Sequence, residues 1–183
     1  MEKASQHKLI THDMSPFLAL ALPPSLTLDE EAIKSAYDAS AQEQIHLQAR
    51  TTLLNPLSRL EAWMHAHDIP HQRHASIPEE LLSLFSDLSE SIMQVQQLSN
   101  KRKQAQSLLS QTLLDKQLFQ QKPTLDTLAQ KLEKLARSLH ESLPMIEEEK
   151  DPNLANQAVQ CLKFAQKWEA ELNKSYNLLL GSL

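Results

Sequence analysis

The stretch LLNPLSRLEAWM, residues 53–64, contains the corner from which the fold of this chain can be predicted. The Asn55 side chain can cap a helix, and Pro56 suits the first helical position, where a missing N–H costs nothing. The same proline disfavours helical geometry just before it, so a preceding helix must end by about Leu54. Apolar residues then recur at helical spacing up to Met64. The stretch therefore predicts two helices that meet at a corner.

The composition indicates an all-α protein. The 183 residues are 41% apolar, which is enough for a sizeable core, and they include a single glycine, Gly181. Hairpin turns and bulged strands depend on glycine, so a chain rich in Leu, Ala, Gln, Ser, Glu and Lys that almost lacks it is expected to be helical throughout. The length suits one large domain or two small ones.

Charge and cysteine content exclude several classes of function. The net charge of −5 comes from mixed signs rather than one acidic block, which argues against nucleic acid as a main partner. Cys161 is the only cysteine, so internal disulfides are excluded, and its apolar helical setting predicts a buried structural thiol. No apolar run is long enough to span a membrane or to form a signal-peptide core. We expect a cytoplasmic protein that binds neither nucleic acid nor membrane and needs no cofactor.

Residues 1–70 are predicted to form a small helical domain. A short apolar turn at residues 17–22 is followed by two prolines. Residues 27–30 then have the pattern of a capping box, with Thr27 as the cap, and open the helix that precedes the one leading to the Asn55 corner.

Residues 77–183 are predicted to form an antiparallel helical bundle. A capping box at residues 76–79 opens the first helix, Pro144 ends a later one, and Pro152 begins the last. The sequence does not decide whether residues 99–122 continue the first helix. The apolar stripes comprise Leu81, Leu84, Phe85, Leu88, Ile92 and Val95; Leu108, Leu109, Leu113 and Phe119; Leu125, Leu128, Leu132, Leu135, Leu139 and Leu143; and Leu154, Ala158, Cys161, Ala165, Trp168, Leu172 and Leu179.

Four histidines lie between the two parts, at His65, His67, His71 and His74. One interpretation is a metal site, because imidazole is a common ligand of zinc and nickel. The other is a polar linker, since His65 and His67 point to different faces of a helix end, Pro70 breaks the segment, and no carboxylate–histidine helix motif is present. We favour the linker and predict no metal site.

The helical opening, the proline corner, the linker and the bundle follow one another along the chain. This order resembles that of the HscB-type J-domain co-chaperones of iron–sulfur cluster assembly. The last helix of that J-domain follows a corner with the pattern seen here at Ala49, Leu53, Pro56, Leu57, Arg59 and Glu61. FLALALPPSLTLDEEAIKSAY, residues 17–37, is similar to the opening of the family. SIPEELLSLFSDLSESI and AVQCLKFAQKW are similar to the first and last helices of its carboxy-terminal three-helix bundle. The resemblance covers about residues 15–183 and implies binding to an IscU-like cluster scaffold protein.

The chain departs from that family in two places. The family carries a His-Pro-Asp tripeptide in the loop before the helix that leads to the corner, where it stimulates ATP hydrolysis by a DnaK-type chaperone. This sequence has neither the tripeptide nor room for the full loop and helix. We therefore expect a degenerate J-domain and leave contact with a DnaK- or HscA-type chaperone open. Residues 99–122 form an apparent insertion in the bundle.

The resemblance places the partner surface on the first and last bundle helices. Two serines, Ser83 and Ser86, stand where the family has apolar residues. Leu82 and Met93 lie off the buried stripe beside acids, as partner-contacting apolar residues often do. Phe164 either exposes an aromatic edge to the partner or widens the core. The predicted partner-binding residues are Leu82, Asp87, Glu90, Met93 and Phe164.

The expected function is that of a co-chaperone or adaptor that binds the cluster scaffold. The alternative is a helical protein–protein interaction module unrelated to cluster assembly, which uses the same surface. We expect no catalysis, because bringing Cys161 together with a histidine and an acid would need a glycine-shaped loop or cleft that this chain barely provides.

Overall fold

The computed structural model of the protein describes residues 14–72 and 78–181, which form eight α-helices and contain no β-strand. The prediction of an all-α fold is therefore confirmed. The helices are α1 Pro16–Ala19, α2 Glu30–Asp38, α3 Gln44–Leu54, α4 Pro56–Ala66, α5 Glu79–Gln104, α6 Leu108–Gln120, α7 Lys122–Glu149 and α8 Pro152–Leu180.

The described residues divide between two compact units. The first unit contains the residues up to 72 together with 140–159. The second contains residues 78–139 and 160–181. Both α7 and α8 therefore contribute residues to each unit, whereas the two domains expected from the sequence are continuous segments. The assignment of those domains stays a prediction.

The corner between α3 and α4 forms as the sequence predicts. α3 ends at Leu54, α4 begins at Pro56, and the extended residue between them is Asn55. The Asn55 side-chain oxygen accepts a hydrogen bond from the Ser58 N–H at 3.1 Å, so the predicted cap is confirmed. The inner face of α4 buries three large side chains in the first unit, which are Leu60, Trp63 and Met64.

The start of α2 lies later than predicted. Asp29, not Thr27, caps this helix, because the Asp29 carboxylate accepts a hydrogen bond from the Ala32 N–H at 2.6 Å. A side chain directly before the first helical residue reaches the free N–H groups, which Thr27 is too far away to do. α5 begins at Glu79 without a side-chain cap. Its predicted cap, Ser76, lies outside the described residues.

α7 passes through Pro144, where the sequence predicted its end. A proline inside a helix removes one backbone hydrogen bond and costs about 3 kcal/mol. Leu143 and Ile146 lie on either side of it and are buried in the first unit. Burial of an aliphatic side chain contributes about 1.5 to 3 kcal/mol, so these two offset the cost. The helix therefore continues to Glu149.

Buried polar contacts connect α4 to the segment that leads into α2. Arg59 is buried, and its Nη1 donates a hydrogen bond to the Leu28 carbonyl oxygen at 2.7 Å. Burial lowers the pKa of Arg59, while the charges of Glu30 and Glu147 act in the opposite direction. Glu147 also accepts a hydrogen bond from the Leu26 N–H at 2.9 Å. The arginine of the corner motif thus has a structural role in the first unit.

The stripes of α5, α7 and α8 supply most of the core of the second unit, as predicted. Cys161 belongs to this core, and burial raises the pKa of its thiol, so the expected buried cysteine is confirmed. The buried core residues are Leu81, Leu84, Phe85, Leu88, Val95, Leu118, Leu125, Leu128, Leu132, Cys161, Ala165, Leu172 and Leu179.

α6 does not continue the buried stripe that the sequence suggested. α5 runs through residues 99–103 to Gln104, and residues 105–107 separate it from α6. Within α6 only Leu118 is buried. Apolar residues occur on several sides of this helix, and only one side packs on the unit. The exposed fractions are 79% for Leu108, 72% for Leu109, 54% for Leu113 and 58% for Phe119.

Candidate functional site

Four of the five predicted partner-binding residues lie on the solvent-facing side of α5. Leu82 is 52% exposed and Met93 is 54% exposed, and Asp87 and Glu90 are exposed as well. Leu82 and Met93 are about three helical turns apart, so they lie on the same side of α5, separated by ~16 Å along its axis. α5 therefore presents two large apolar side chains and two carboxylates to solvent.

Asp87 and Glu90 line an open groove beside the first turns of α7, with a volume of about 580 Å³. Its lining is mostly polar, with amide and hydroxyl groups that can donate and accept hydrogen bonds. Two carboxylates against one lysine, Lys131, leave the lining with a net negative charge, which favours a basic partner. The groove therefore suits a polar, basic segment of another protein better than an apolar small molecule. Its other lining residues are Ser91, Gln94, Gln121, Pro123, Thr124, Thr127, Leu128 and Lys131.

A second, shallower depression of about 300 Å³ lies entirely on α5. Glu90 and Met93 line it, together with serine and glutamine side chains. Glu90 thus borders both depressions, and Asp87 borders the larger one. Leu82 lines neither, so the structure groups three of the four α5 residues and leaves Leu82 closer to the beginning of the helix.

Phe164, the fifth predicted residue, is half-buried on α8 rather than exposed. Its ring stacks on Phe85, with the ring centroids 4.9 Å apart and the planes 28° apart. Phe85 also stacks on Trp168, with centroids 6.1 Å apart. The structure therefore favours the second interpretation of Phe164, in which it widens the core, and only part of its ring remains for a partner.

A cavity of about 360 Å³ that no sequence pattern had indicated lies between α7 and α8 in the second unit. Ala129, Ala136 and Ala165 are small side chains that leave this space between the two helices. Alanines beside the apolar stripes were the only available signal, and they do not tell which helices face each other. The remaining lining residues are Leu132, Glu133, Glu169, Leu172, Asn173 and Tyr176.

Tyr176 connects α8 to the first turns of α7. Its phenol donates a hydrogen bond to Oδ1 of Asp126 at 2.8 Å, and Nζ of Lys122 donates to Oδ2 at 2.7 Å. The bonds from Lys122 and then Tyr176 lower the pKa of Asp126. Burial, followed by the bond to Asp126, raises the pKa of Tyr176 to about 12. Tyr176 and Asp126 are far apart in sequence, so no local pattern indicated their contact.

This hydrogen bond predicts a pH dependence at alkaline pH. The fold favours the neutral phenol of Tyr176, so the contribution of this residue to stability is complete below pH 10.0, its ordinary pKa, and is lost as the pH rises through about 12. In an ultraviolet absorbance titration, Tyr176→Phe should remove a component that ionises near pH 12. Removal of a component with a midpoint near 10 would contradict the bond.

No family model, curated protein or solved structure matches this chain. Within residues 14–72 and 78–181, no three His, Cys, Asp or Glu side chains are grouped so that they could hold a metal ion. Of the four histidines between the two parts, His74 lies outside these ranges. None of the helices in the described part of the chain combines the length and the apolar character needed to cross a bilayer.

Proposed function

We propose that this chain is a helical adaptor that binds another protein through α5, and that this partner is an iron–sulfur cluster scaffold protein. The observation that carries the proposal is the outer side of α5, where Leu82 and Met93 are exposed together with Asp87 and Glu90. Large apolar side chains that stay exposed beside charged residues are typical of protein-binding surfaces. A cluster scaffold is the proposed partner because the order of features along this sequence resembles that in the HscB-type co-chaperones.

The adaptor acts by binding and presentation rather than by covalent chemistry. Leu82 and Met93 supply apolar contacts, and the carboxylates of Asp87 and Glu90 orient a basic partner. Phe85 lies on the inner side of the same helix and stacks on two aromatic rings of α8. This packing supports α5 as a rigid element, which suits a binding site that is formed before the partner arrives.

The second candidate function is a helical interaction module unrelated to cluster assembly. The polar lining of the 580 Å³ groove favours it, because amides and hydroxyls such as those of Gln94 and Thr127 suit many basic segments. The two functions share the α5 surface and differ in the identity of the partner. Binding to a purified scaffold protein separates them.

Truncating the apolar residues of α5 tests the proposed surface. We expect Leu82→Ala combined with Met93→Ala to weaken scaffold binding at least tenfold, because buried anchors cost about 2 kcal/mol or more when truncated. The melting temperature should stay near that of the wild type, since both side chains are exposed. The matched control is Leu180→Ala, which removes an exposed leucine from the end of α8. Equal weakening by this control would argue against a specific role of α5.

The connection between α2 and α3 predicts that chaperone stimulation is absent. Residues 39–43, which form this connection, read Ala-Ser-Ala-Gln-Glu and contain no His-Pro-Asp tripeptide. We expect the purified protein to leave the steady-state ATPase rate of its cognate DnaK-type chaperone unchanged. A J-domain protein that carries the tripeptide serves as the positive control. A several-fold stimulation would show that another surface makes the chaperone contact.

A further inference from the structure

A separate surface on α6 is exposed and apolar. Leu109 and Leu113 are one turn apart on one side of this helix, and Leu108 and Phe119 share a neighbouring side about three turns apart. Each of these four side chains is more than half exposed. Soluble monomers rarely expose several large apolar residues together, and such patches are often functional.

Basic residues flank this apolar surface in the sequence. Lys101 and Lys103, in the last turn of α5, are exposed, and so is Lys116 on α6. Residues 99–122 carry a net charge of +4, although the whole chain carries −5. We call the exposed residues Lys101, Lys103, Leu108, Leu109, Leu113 and Phe119 the α6 patch. Its charge favours a partner with negative charge.

The patch rests on a defined support. Arg102 Nε donates to Oδ1 of Asp115 at 2.8 Å, which ties the end of α5 to α6. Ser107 caps α6 by accepting a hydrogen bond from the Ser110 N–H at 3.1 Å. Gln111 Nε2 donates to the Ala105 carbonyl oxygen at 2.9 Å, across the connection between the helices. The exposed leucines therefore lie in a capped, ion-paired helix rather than in an irregular loop.

The charge and composition of the α6 patch indicate which kind of partner binds it. A second copy that paired the α6 patch with itself would bring the exposed lysines at the ends of two α5 helices together, which charge repulsion opposes. Protein hot spots are enriched in Trp, Tyr and Arg, and interfaces are depleted in Lys. The patch instead combines leucines with lysines, and Arg102, close to it in the chain, is already paired with Asp115. Exposed leucines and a phenylalanine on α6, next to lysines at the end of α5, match the chemistry of an anionic bilayer surface, where apolar side chains enter the acyl boundary and lysines contact head groups.

We propose that the α6 patch docks this protein on the surface of an anionic lipid bilayer. The leucines enter the boundary between head groups and acyl chains, and the lysines contact the anionic head groups. Such a contact requires no membrane-spanning segment. The sequence-based expectation that membranes are not a partner rested on the lack of such a segment, so it does not apply to surface binding.

The test is co-sedimentation of the full chain with vesicles of phosphatidylglycerol and phosphatidylcholine in equal parts, and with vesicles of phosphatidylcholine alone. We expect binding to the anionic vesicles only, and weakening at about 1 M salt, where the screening length falls to about 3 Å. Leu108→Ser with Leu109→Ser, and separately Lys101→Glu with Lys103→Glu, should each reduce binding at least tenfold. The leucine pair tests insertion, and the lysine pair tests charge.

The controls separate the patch from net charge and from the α5 surface. Lys134→Glu with Lys150→Glu makes the same change in net charge outside the α6 patch, and Leu82→Ser removes an exposed leucine from α5. Both should bind anionic vesicles like the wild type, and the α6 variants should bind the scaffold protein normally. The proposal would be overturned if the protein did not bind anionic vesicles, if the control lysine pair reduced this binding equally, or if neutral vesicles were bound equally well. Self-association that Leu108→Ser with Leu109→Ser abolishes would assign the patch to a second copy and overturn it too.

Discussion

Phe85→Ala is expected to lower the free energy of unfolding of the second unit by about 3 to 5 kcal/mol. Phe85 is only 8% exposed and stacks on both Phe164 and Trp168, so its removal leaves a cavity behind the outer surface of α5. Urea denaturation followed by circular dichroism measures the change. A loss below about 1 kcal/mol, the usual range of surface substitutions, would contradict the stacked core.

Phe164→Ala is the matched comparison for this prediction. Because Phe164 is half-buried, we expect a smaller loss of stability, about 1 to 3 kcal/mol. The same variant separates the two interpretations of this residue. If Phe164 only widens the core, scaffold binding should persist wherever the variant is folded. If stability is unchanged and binding is lost, the ring acts as an exposed anchor. Its stacking on Phe85 then contributes little to stability.

Asn156→Leu is expected to destabilise the first unit by about 2 to 4 kcal/mol. Asn156 is 1% exposed, and its amide makes three hydrogen bonds. Its oxygen accepts from the Gln72 N–H at 2.7 Å, and its nitrogen donates to the carbonyl oxygens of Pro70 at 2.9 Å and Pro152 at 2.7 Å. Leucine has a similar size but removes the side-chain partner of the Gln72 N–H and of the Pro70 carbonyl oxygen.

Thermal unfolding measures this loss, with Asn153→Ala as the control. Asn153 lies on the same helix but is exposed, so its substitution should change the free energy of unfolding by less than about 0.5 kcal/mol. Equal effects of the two substitutions would show that the buried amide has no special role. A loss confined to Asn156→Leu would confirm that it fastens residues 70–72 to the start of α8.

Local chemistry explains which parts of the fold were predictable. The Asn55 cap, the Pro56 start and the stripes of α5, α7 and α8 depend on neighbours within a few positions. The continuation of α7 through Pro144 depends on burial of Leu143 and Ile146 in the first unit, which no local pattern reveals. The exposure of α6 could not be predicted for a similar reason. An apolar pattern predicts a helix, but it does not show which faces of that helix pack against the rest of the protein.

The candidate site was predictable to a similar extent. Periodicity placed Leu82 and Met93 outside the buried stripe, and both are exposed. Asp87 and Glu90 are exposed as well, but the groove they share with Gln121 and Thr124 depends on α5 lying beside the first turns of α7. Such a pairing joins residues distant in sequence. The sequence could not decide whether the Phe164 ring is exposed or packed in the core, since this depends on the position of Phe85.

We propose that α5 binds an iron–sulfur cluster scaffold protein. The most direct measurement is isothermal titration of the purified full chain with a purified scaffold protein, repeated with the Leu82→Ala, Met93→Ala double variant. We expect saturable binding with the wild type and at least tenfold weaker binding with the folded double variant. Absence of binding to the wild type would contradict the choice of partner, and unchanged affinity in the double variant would contradict the α5 surface.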